Sequence, residues 1–176
     1  MFQKGDLVSY GMDGIYRIEK IARMCFYGAS EDYFVLRSNG NPDSTIFVPV
    51  NNENLKKKMR RILSPDEIYA LIHAMPEQKS IWIEDENDRK EKYREILARG
   101  DRSELVRVIK TLYLHRQKQN ESGKKLHLSD EHFFKEAERI LYEEFALVLK
   151  IRPEQVLPFI LEQIGIDAKE EPSVFE

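Results

Sequence analysis

The sequence predicts an α+β protein of two domains, a small twisted β-barrel followed by an all-α bundle of four to five helices. Three observations lead to this prediction. Apolar and polar residues alternate through the first fifty positions, the apolar spacing changes to that of helices near residue 53, and helix-capping signals recur after that point. We therefore expect all the strands in the N-terminal third of the chain.

The first strands are predicted from the run between residues 2 and 18. Its apolar positions flank a turn, and they include Val8, Tyr10, Ile15 and Ile18. The turn reads Gly-Met-Asp-Gly, and its two glycines can adopt the positive φ angles that a tight turn requires. Further strands are expected at residues 33–36 and 45–50, which completes the pattern of a small barrel that carries no catalytic group.

The domain boundary is predicted from turn-forming and basic residues. Residues 51–54 are Asn-Asn-Glu-Asn, so we expect the first domain to cover residues 1–54. The basic run at residues 56–61 is interpreted as a connector. The helical domain is predicted over residues 62–166, and residues 167–176 are expected to form a flexible tail.

The first two helices carry clear end signals. Ser64 is a good N-cap, Pro65 suits the first helical position, and Pro76 stops the helix. A second helix is expected at about residues 85–99. Gly100 follows it and is well placed to end it in the left-handed conformation.

Three more helices complete the predicted bundle. Residues 101–104 form a capping box that opens the third helix, and a polar loop is expected at residues 117–127. The fourth helix is predicted over about residues 129–149, with Asp130 in its cap. A short final helix is expected over residues 153–165.

Composition narrows the class of protein. No apolar run approaches the roughly 20 residues that cross a bilayer, so we expect no membrane contact. The lone Cys25 excludes an internal disulfide, which favours a reducing cytoplasm, and its apolar neighbours favour a small core residue. Although the net charge is −3, residues 56–125 carry 18 basic and 12 acidic side chains. This third of the chain could bind phosphate, or it could be an ordinary solvated helical surface.

Catalysis and metal binding are not predicted. None of the four histidines pairs with a second ligand at metal-binding spacing, and the N-terminal glycines precede a strand rather than a helix. Paired carboxylates such as Glu143 and Glu144 are expected on a solvated helix surface. We therefore predict a non-enzymatic protein with no cofactor and no metal.

Trp82, the only tryptophan, is the first candidate binding residue. It lies between two predicted helices and outside their apolar stripes, so its ring could stack on an unpaired base or wedge into a minor-groove step. The nearby cations that we expect to contact phosphate are Lys79, Arg89 and Lys90. Against this interpretation, a lone tryptophan is most often a core residue, and residues 84–88 are mainly acidic.

The strand predicted at residues 45–49 is the second candidate. Its alternation places Phe47 and Pro49 outward and places Ile46 and Val48 in the core. An unpaired edge strand invites a partner strand, and Met24 and Phe26 could extend the apolar patch. The candidate docking residues are Met24, Thr45, Ile46, Phe47, Val48 and Pro49. The alternative is that both faces of this strand are buried within the barrel.

Several short motifs follow one another along nearly the whole chain. They are Phe2-x-x-Gly5-Asp6-x-Val8-x-Tyr10-x-x-x-Gly14, Tyr33-Phe34-Val35-Leu36, Thr45-Ile46-Phe47-Val48-Pro49, the single Trp82, Gly100-Asp101, and Leu105-Val106-Arg107-Val108-Ile109-Lys110-x-Leu112-Tyr113. In these motifs the chain closely resembles the CarD family of bacterial transcription regulators, which includes the CdnL proteins. The first motif alone is less specific, because the transcription-repair coupling factor carries a similar module.

The resemblance implies a role for each domain. The barrel, which would be Tudor-like or SH3-like, would dock on the β subunit of RNA polymerase. The helical domain would contact promoter DNA at the upstream edge of the transcription bubble, where Trp82 would wedge into the minor groove and slow bubble collapse. The protein would thus alter the stability of the open promoter complex without reading sequence. We expect a monomer that binds DNA weakly on its own.

Two departures from the family pattern modify these expectations. Acidic residues follow Trp82, where members with a strong DNA effect have basic ones. Phe47 replaces a basic residue that helps to grip polymerase in some members. We therefore expect a more apolar polymerase contact and a weaker DNA contact. The alternative function is an adaptor that binds polymerase or another protein and does not touch DNA.

Overall fold

The computed structural model describes residues 1–164, which divide into two compact units at residue 62. The first unit contains β1 (Leu7–Tyr10), β2 (Gly14–Phe26), β3 (Ala29–Ser38), β4 (Thr45–Pro49), the one-turn helix α1 (Glu53–Lys56) and β5 (Met59–Arg61). The second contains, within the described residues, α2 (Pro65–Ala74), α3 (Glu86–Arg99), α4 (Arg102–Glu121), α5 (Leu128–Leu149) and α6 (Val156–Gln163). A β unit followed by a helical unit confirms the predicted fold class.

The first unit is one antiparallel sheet with the strand order β4-β3-β2-β1-β5. Gly11, in the turn between β1 and β2, and Gly14, the first residue of β2, have φ angles of 51° and 112° as the turn prediction requires. One face of the sheet forms the core. Its buried members are Val8, Tyr10, Tyr16, Ile18, Phe34, Leu36, Val48 and Met59. Burial of these side chains is the main stabilising contribution to this unit.

The basic run after residue 54 is not a simple connector. Met59–Arg61 forms β5, which pairs with β1 at the edge of the sheet. Met59 is 4% exposed and belongs to the core, while its basic neighbours lie on a strand edge where charge is tolerated. The first unit therefore extends to residue 62 rather than 54. Three residues of strand are too few to give a recognisable alternation.

The prediction that Cys25 is a core residue is wrong, because its side chain is exposed. Cys25 lies near the tip of the β2–β3 hairpin, where it is opposite Ser30. Strand β1 pairs with β2 only as far as Arg17, and β4 pairs with β3 no nearer the tip than Tyr33. The tip of the hairpin thus extends beyond both neighbouring strands. Successive side chains there still point to opposite faces, but neither face is covered by a core.

The start of α2 and the end of α3 follow their sequence signals. The Ser64 hydroxyl accepts a hydrogen bond from the Glu67 N–H, and the Glu67 carboxylate accepts one from the Ser64 N–H in return. Gly100 ends α3 with a φ angle of 68°, and the Asp101 carboxylate then caps α4. These boundaries are confirmed.

The connection between α4 and α5 differs from the prediction. Helix α4 continues to Glu121, so the loop expected at residues 117–127 begins five residues later than expected. Gln117 and Gln119 are good helix formers, and each bonds a ring side chain one turn earlier, on Tyr113 and His115. Helix α5 begins at Leu128, and Asp130 does not cap it.

Glu144 is not a surface residue, contrary to our expectation. Its side chain is 4% exposed, and its carboxylate is 2.6 Å from an Arg102 guanidinium nitrogen. The same carboxylate accepts a hydrogen bond from the Leu63 N–H at 2.9 Å. A buried carboxylate with these partners ties α5 to the start of α4 and to the segment before α2. The expected helix end at Gly165 and the expected tail lie outside the described residues.

Candidate functional site

Strand β4 forms one edge of the sheet. Its register sets Phe47 opposite Val35 and Val48 opposite Phe34 on β3. Val48 is fully buried, whereas Phe47 is 41% exposed. Ile46 packs against the sheet core with Val48. The predicted orientation of these three side chains is therefore confirmed.

Phe47 belongs to a group of three aromatic rings on the face of the sheet away from the core. The Phe26 ring lies 5.6 Å from that of Phe47 and 5.1 Å from that of Tyr33, between ring centroids. Met24 is two residues before Phe26 on β2, so it lies on the same face. The Tyr33 hydroxyl donates to Glu31, and burial together with this carboxylate raises the pKa of Tyr33. We call Met24, Phe26, Tyr33, Phe47 and Pro49 the outer apolar patch.

Burial on both faces, which we considered as an alternative for β4, is found on β3 instead. Residues 33–36 of β3 are all less than 9% exposed, although successive side chains point to opposite faces. Strand β4 differs because Phe47 remains accessible beside an edge. The free edge of β4 and the outer apolar patch together form an accessible apolar surface of the first unit.

Trp82 lies in the segment between α2 and α3. We call residues 76–84 the Trp82 segment, and from residue 78 onward it has no regular secondary structure. The indole ring stacks on the His115 imidazole of α4, with ring centroids 3.7 Å apart and planes 20° apart. The Arg89 guanidinium carbon lies 4.3 Å from the indole centroid. Trp82 is thus half-buried and held between side chains of two helices.

Side chains from the helices hydrogen-bond the backbone of the Trp82 segment on both sides of the tryptophan. Before it, the Thr111 hydroxyl accepts from the Ile81 N–H at 2.6 Å, and the Tyr93 hydroxyl donates to the Ile81 carbonyl at 2.8 Å. After it, Arg89 donates to the carbonyls of Ile83 and Glu84 at 2.8 and 3.3 Å. Further bonds run from Lys110 to the Pro76 carbonyl and from Arg107 to the Lys79 carbonyl. These bonds satisfy backbone groups that no helix or strand pairs.

Arg89 lies in the interior rather than at the surface where we expected a phosphate contact. Its side chain is 2% exposed, and two guanidinium nitrogens each lie 2.9 Å from a different carboxylate oxygen of Asp130, which is fully buried. This bidentate bond raises the pKa of Arg89. A guanidinium with all these partners has a structural role, so we do not include Arg89 in the proposed DNA contact.

The other two predicted cations are more accessible. Lys79 is exposed, whereas Lys90 is partly buried and its ammonium lies 2.6 Å from the Glu86 carboxylate. The hydrogen bond from Lys90 lowers the pKa of Glu86. Asp85 is committed to capping α3, where its carboxylate accepts from the Asp88 N–H. The acidic run after Trp82 is thus partly occupied with helix capping and an ion pair.

A cleft of about 510 Å³ opens beside Trp82. Thr111, His115 and Gln119 line it from α4, together with Lys118. Burial lowers the pKa of His115, which favours the neutral form of its imidazole. These cleft residues were not predicted from the sequence. The available signal was the spacing of Thr111, His115 and Gln119 at every fourth position, which places three polar residues on one face of α4.

No group of three or more His, Cys, Asp or Glu side chains within residues 1–164 could hold a metal ion. None of the helices in this part of the chain is long and apolar enough to cross a membrane.

Comparison with known protein families gives matches in both units. Residues 2–63 match the CarD-like/TRCF RID domain, and residues 67–160 match the C-terminal domain of CarD. The chain belongs to the CarD family. This membership makes it a transcription regulator that interacts with RNA polymerase, in a family that is not known for enzymes. A comparison with curated proteins found no significant match.

Proposed function

We propose that the chain docks on the β subunit of RNA polymerase through β4 and contacts promoter DNA through its helical unit. The observation that carries the proposal is the edge position of β4 beside an accessible Phe47. A partner strand can add to such an edge through backbone hydrogen bonds, and the outer apolar patch then supplies side-chain contacts. In this arrangement the first unit determines where the protein binds.

Trp82 supports the second half of the proposal. Its ring borders an open cleft to which Lys118 contributes a cation, and Lys79 is exposed three residues before it. At the upstream edge of the transcription bubble, the indole edge would contact the minor groove while these lysines contact phosphates. The effect would be a change in the lifetime of the open complex without sequence-specific reading.

Few phosphate contacts imply weak binding to free DNA, because each contact adds a salt-sensitive increment of affinity. Docking on polymerase would compensate by raising the local concentration of the helical unit near the promoter. We therefore expect DNA contact only in the complex with polymerase.

An adaptor that binds polymerase without touching DNA is the second candidate. Two observations favour it. The residues from Glu84 to Asp88 next to Trp82 are acidic or neutral and exposed, and the indole ring already packs against His115 and Arg89. The acidic residues reduce the attraction of this surface for a phosphate backbone, and the packing leaves less of the indole ring open to a base.

The lifetime of the polymerase–promoter open complex, measured with and without the protein, separates the two candidates. We expect the protein to lengthen it and Trp82→Ala to reverse most of the effect while binding to polymerase is retained. Tyr69→Ala is the matched control, because it removes a partly buried aromatic ring from α2. An unchanged lifetime despite measurable binding to the β subunit would instead support the adaptor.

A further inference from the structure

Buried polar side chains are concentrated around the Trp82 segment. In the described part of the chain five polar or charged residues are buried, namely Arg89, Lys110, Thr111, Asp130 and Glu144. Arg89, Lys110 and Thr111 bond the backbone of the Trp82 segment, and Asp130 binds Arg89. Burying such groups opposes folding unless they are fully hydrogen-bonded. Four of the five therefore serve one short irregular segment.

We propose that the Arg89–Asp130 pair, with the hydroxyls of Tyr93 and Thr111, positions Trp82 in the free protein for its contact with DNA. The four side chains are positioning residues, because they act on DNA only through the orientation of the indole. The inference rests on the proposed DNA contact of Trp82.

The hydrogen bonds lie where they restrict Trp82 most. Ile81 is bonded at both its N–H and its carbonyl, and the carbonyls of Ile83 and Glu84 share one guanidinium nitrogen of Arg89. The residues directly before and after Trp82 are thus fixed to α3 and α4. The stacked His115 ring then restricts the side-chain rotation of the indole itself.

Stability alone does not account for this arrangement. A buried ion pair is commonly no more stabilising than a well-packed apolar pair of the same volume. An apolar pair at positions 89 and 130 could fill the same space, but it could not donate to the carbonyls that follow Trp82. An ordered segment loses less conformational freedom when it binds, which favours a weak contact. Positioning is thus the property that requires charge at these two positions.

The test replaces the pair with apolar residues in the full-length protein, as Arg89→Met with Asp130→Leu. Because Trp82 is the only tryptophan, its fluorescence reports on this segment alone. We expect the helix content to be retained, the fluorescence anisotropy to fall, and quenching of the indole by acrylamide to increase. We also expect the effect on open-complex lifetime to fall about as far as in Trp82→Ala.

The matched control is Arg102→Met with Glu144→Leu, which removes a second ion pair of the helical unit, in which Glu144 is buried and Arg102 is 12% exposed. That pair does not bond the Trp82 segment, so the anisotropy and quenching should stay as in the wild type. A folded Arg89→Met/Asp130→Leu variant with unchanged anisotropy and quenching would overturn the inference. If instead Trp82→Ala leaves the lifetime unchanged, the proposed DNA contact fails, while the spectroscopic result still decides whether the pair positions the indole.

Tyr93→Phe provides a milder variant should the double replacement unfold. It keeps a buried ring and removes only the hydroxyl that donates to the Ile81 carbonyl. Quenching of Trp82 should rise in Tyr93→Phe and not in Tyr113→Phe, whose hydroxyl bonds Gln117 on its own helix. Equal quenching in both variants would argue against positioning.

Discussion

The two units present their candidate contact surfaces by different means. In the sheet unit Phe47 is oriented by the register of β4 against β3, and no charged side chain of residues 1–62 is buried. In the helical unit Trp82 lies in an irregular segment whose backbone is held by buried charged and hydroxyl side chains. A strand orients its own side chains through its ladder, whereas an irregular segment depends on side chains from other elements. The helical unit should therefore be much more sensitive to the loss of a single charge.

The largest expected effect is that of Arg89→Ala. It leaves the fully buried Asp130 carboxylate without its partner, which should cost about 3–5 kcal/mol in free energy of unfolding. In the sheet unit Arg37 pairs with Glu19, but both side chains are more than 40% exposed. Arg37→Ala should therefore cost at most about 1 kcal/mol. Urea unfolding monitored by circular dichroism measures both, and similar losses in the two variants would contradict the comparison.

The next largest effect is expected on polymerase binding. Phe47→Ala removes an accessible ring from the outer apolar patch, so we expect binding to the β subunit to weaken by about 2 kcal/mol, or roughly 30-fold. The free energy of unfolding should change little, because the ring is 41% exposed. Ile21→Ala is the control. Ile21 is 48% exposed, but it pairs with Phe34 and lies on the opposite face from the patch. Equal weakening by both variants would remove β4 from the docking surface.

The sequence predicts well those features that depend on neighbouring residues. The caps at Ser64 and Gly100 and the alternation of Phe47 with Val48 are local patterns, and the structure confirms each of them. A cap needs one side chain and the three residues beside it, so its physical cause lies within a single turn. The same holds for the turn between β1 and β2.

The features that the sequence did not predict depend on distant partners. Arg89 and Asp130 are 41 residues apart, and Arg102 and Glu144 are 42 apart. Each side chain viewed alone resembles a solvated helix residue, since charge is normally exposed. Its burial becomes favourable only when the fold supplies the opposite charge. The orientation of Trp82 depends on the first of these pairs, so it too could not be predicted from local pattern.

A smaller effect is expected at the end of α3. Gly100 has a φ angle of 68°, so Gly100→Ala places a side chain in the left-handed region and should cost about 1–2 kcal/mol. Gly40 in the sheet unit provides the control, because no positive φ is found there and a Cβ would meet nothing within 4 Å. Gly40→Ala should be neutral or slightly stabilising. Thermal unfolding of both variants measures the difference, and a neutral Gly100→Ala would show that the cap can rearrange.

The smallest effect concerns the pH dependence of the Trp82 environment. Desolvation is the largest effect on the pKa of His115 and lowers it from its ordinary 6.5. The positive charges of Arg89 and Lys118 also lower this pKa, whereas the negative charges of Asp130 and Glu84 raise it. Since the unfolded chain takes up this proton more readily, acidification below pH 6.5 should decrease the free energy of unfolding.

A stacked imidazolium also quenches indole fluorescence, so the emission of Trp82 should fall with a midpoint below 6.5. His115→Gln should abolish the transition and His73→Gln should not, whereas a midpoint above 6.5 would contradict burial of the imidazole. Because residues 1–62 contain no histidine, the sheet unit cannot produce such an imidazole transition, and this pH response would be a property of the helical unit alone.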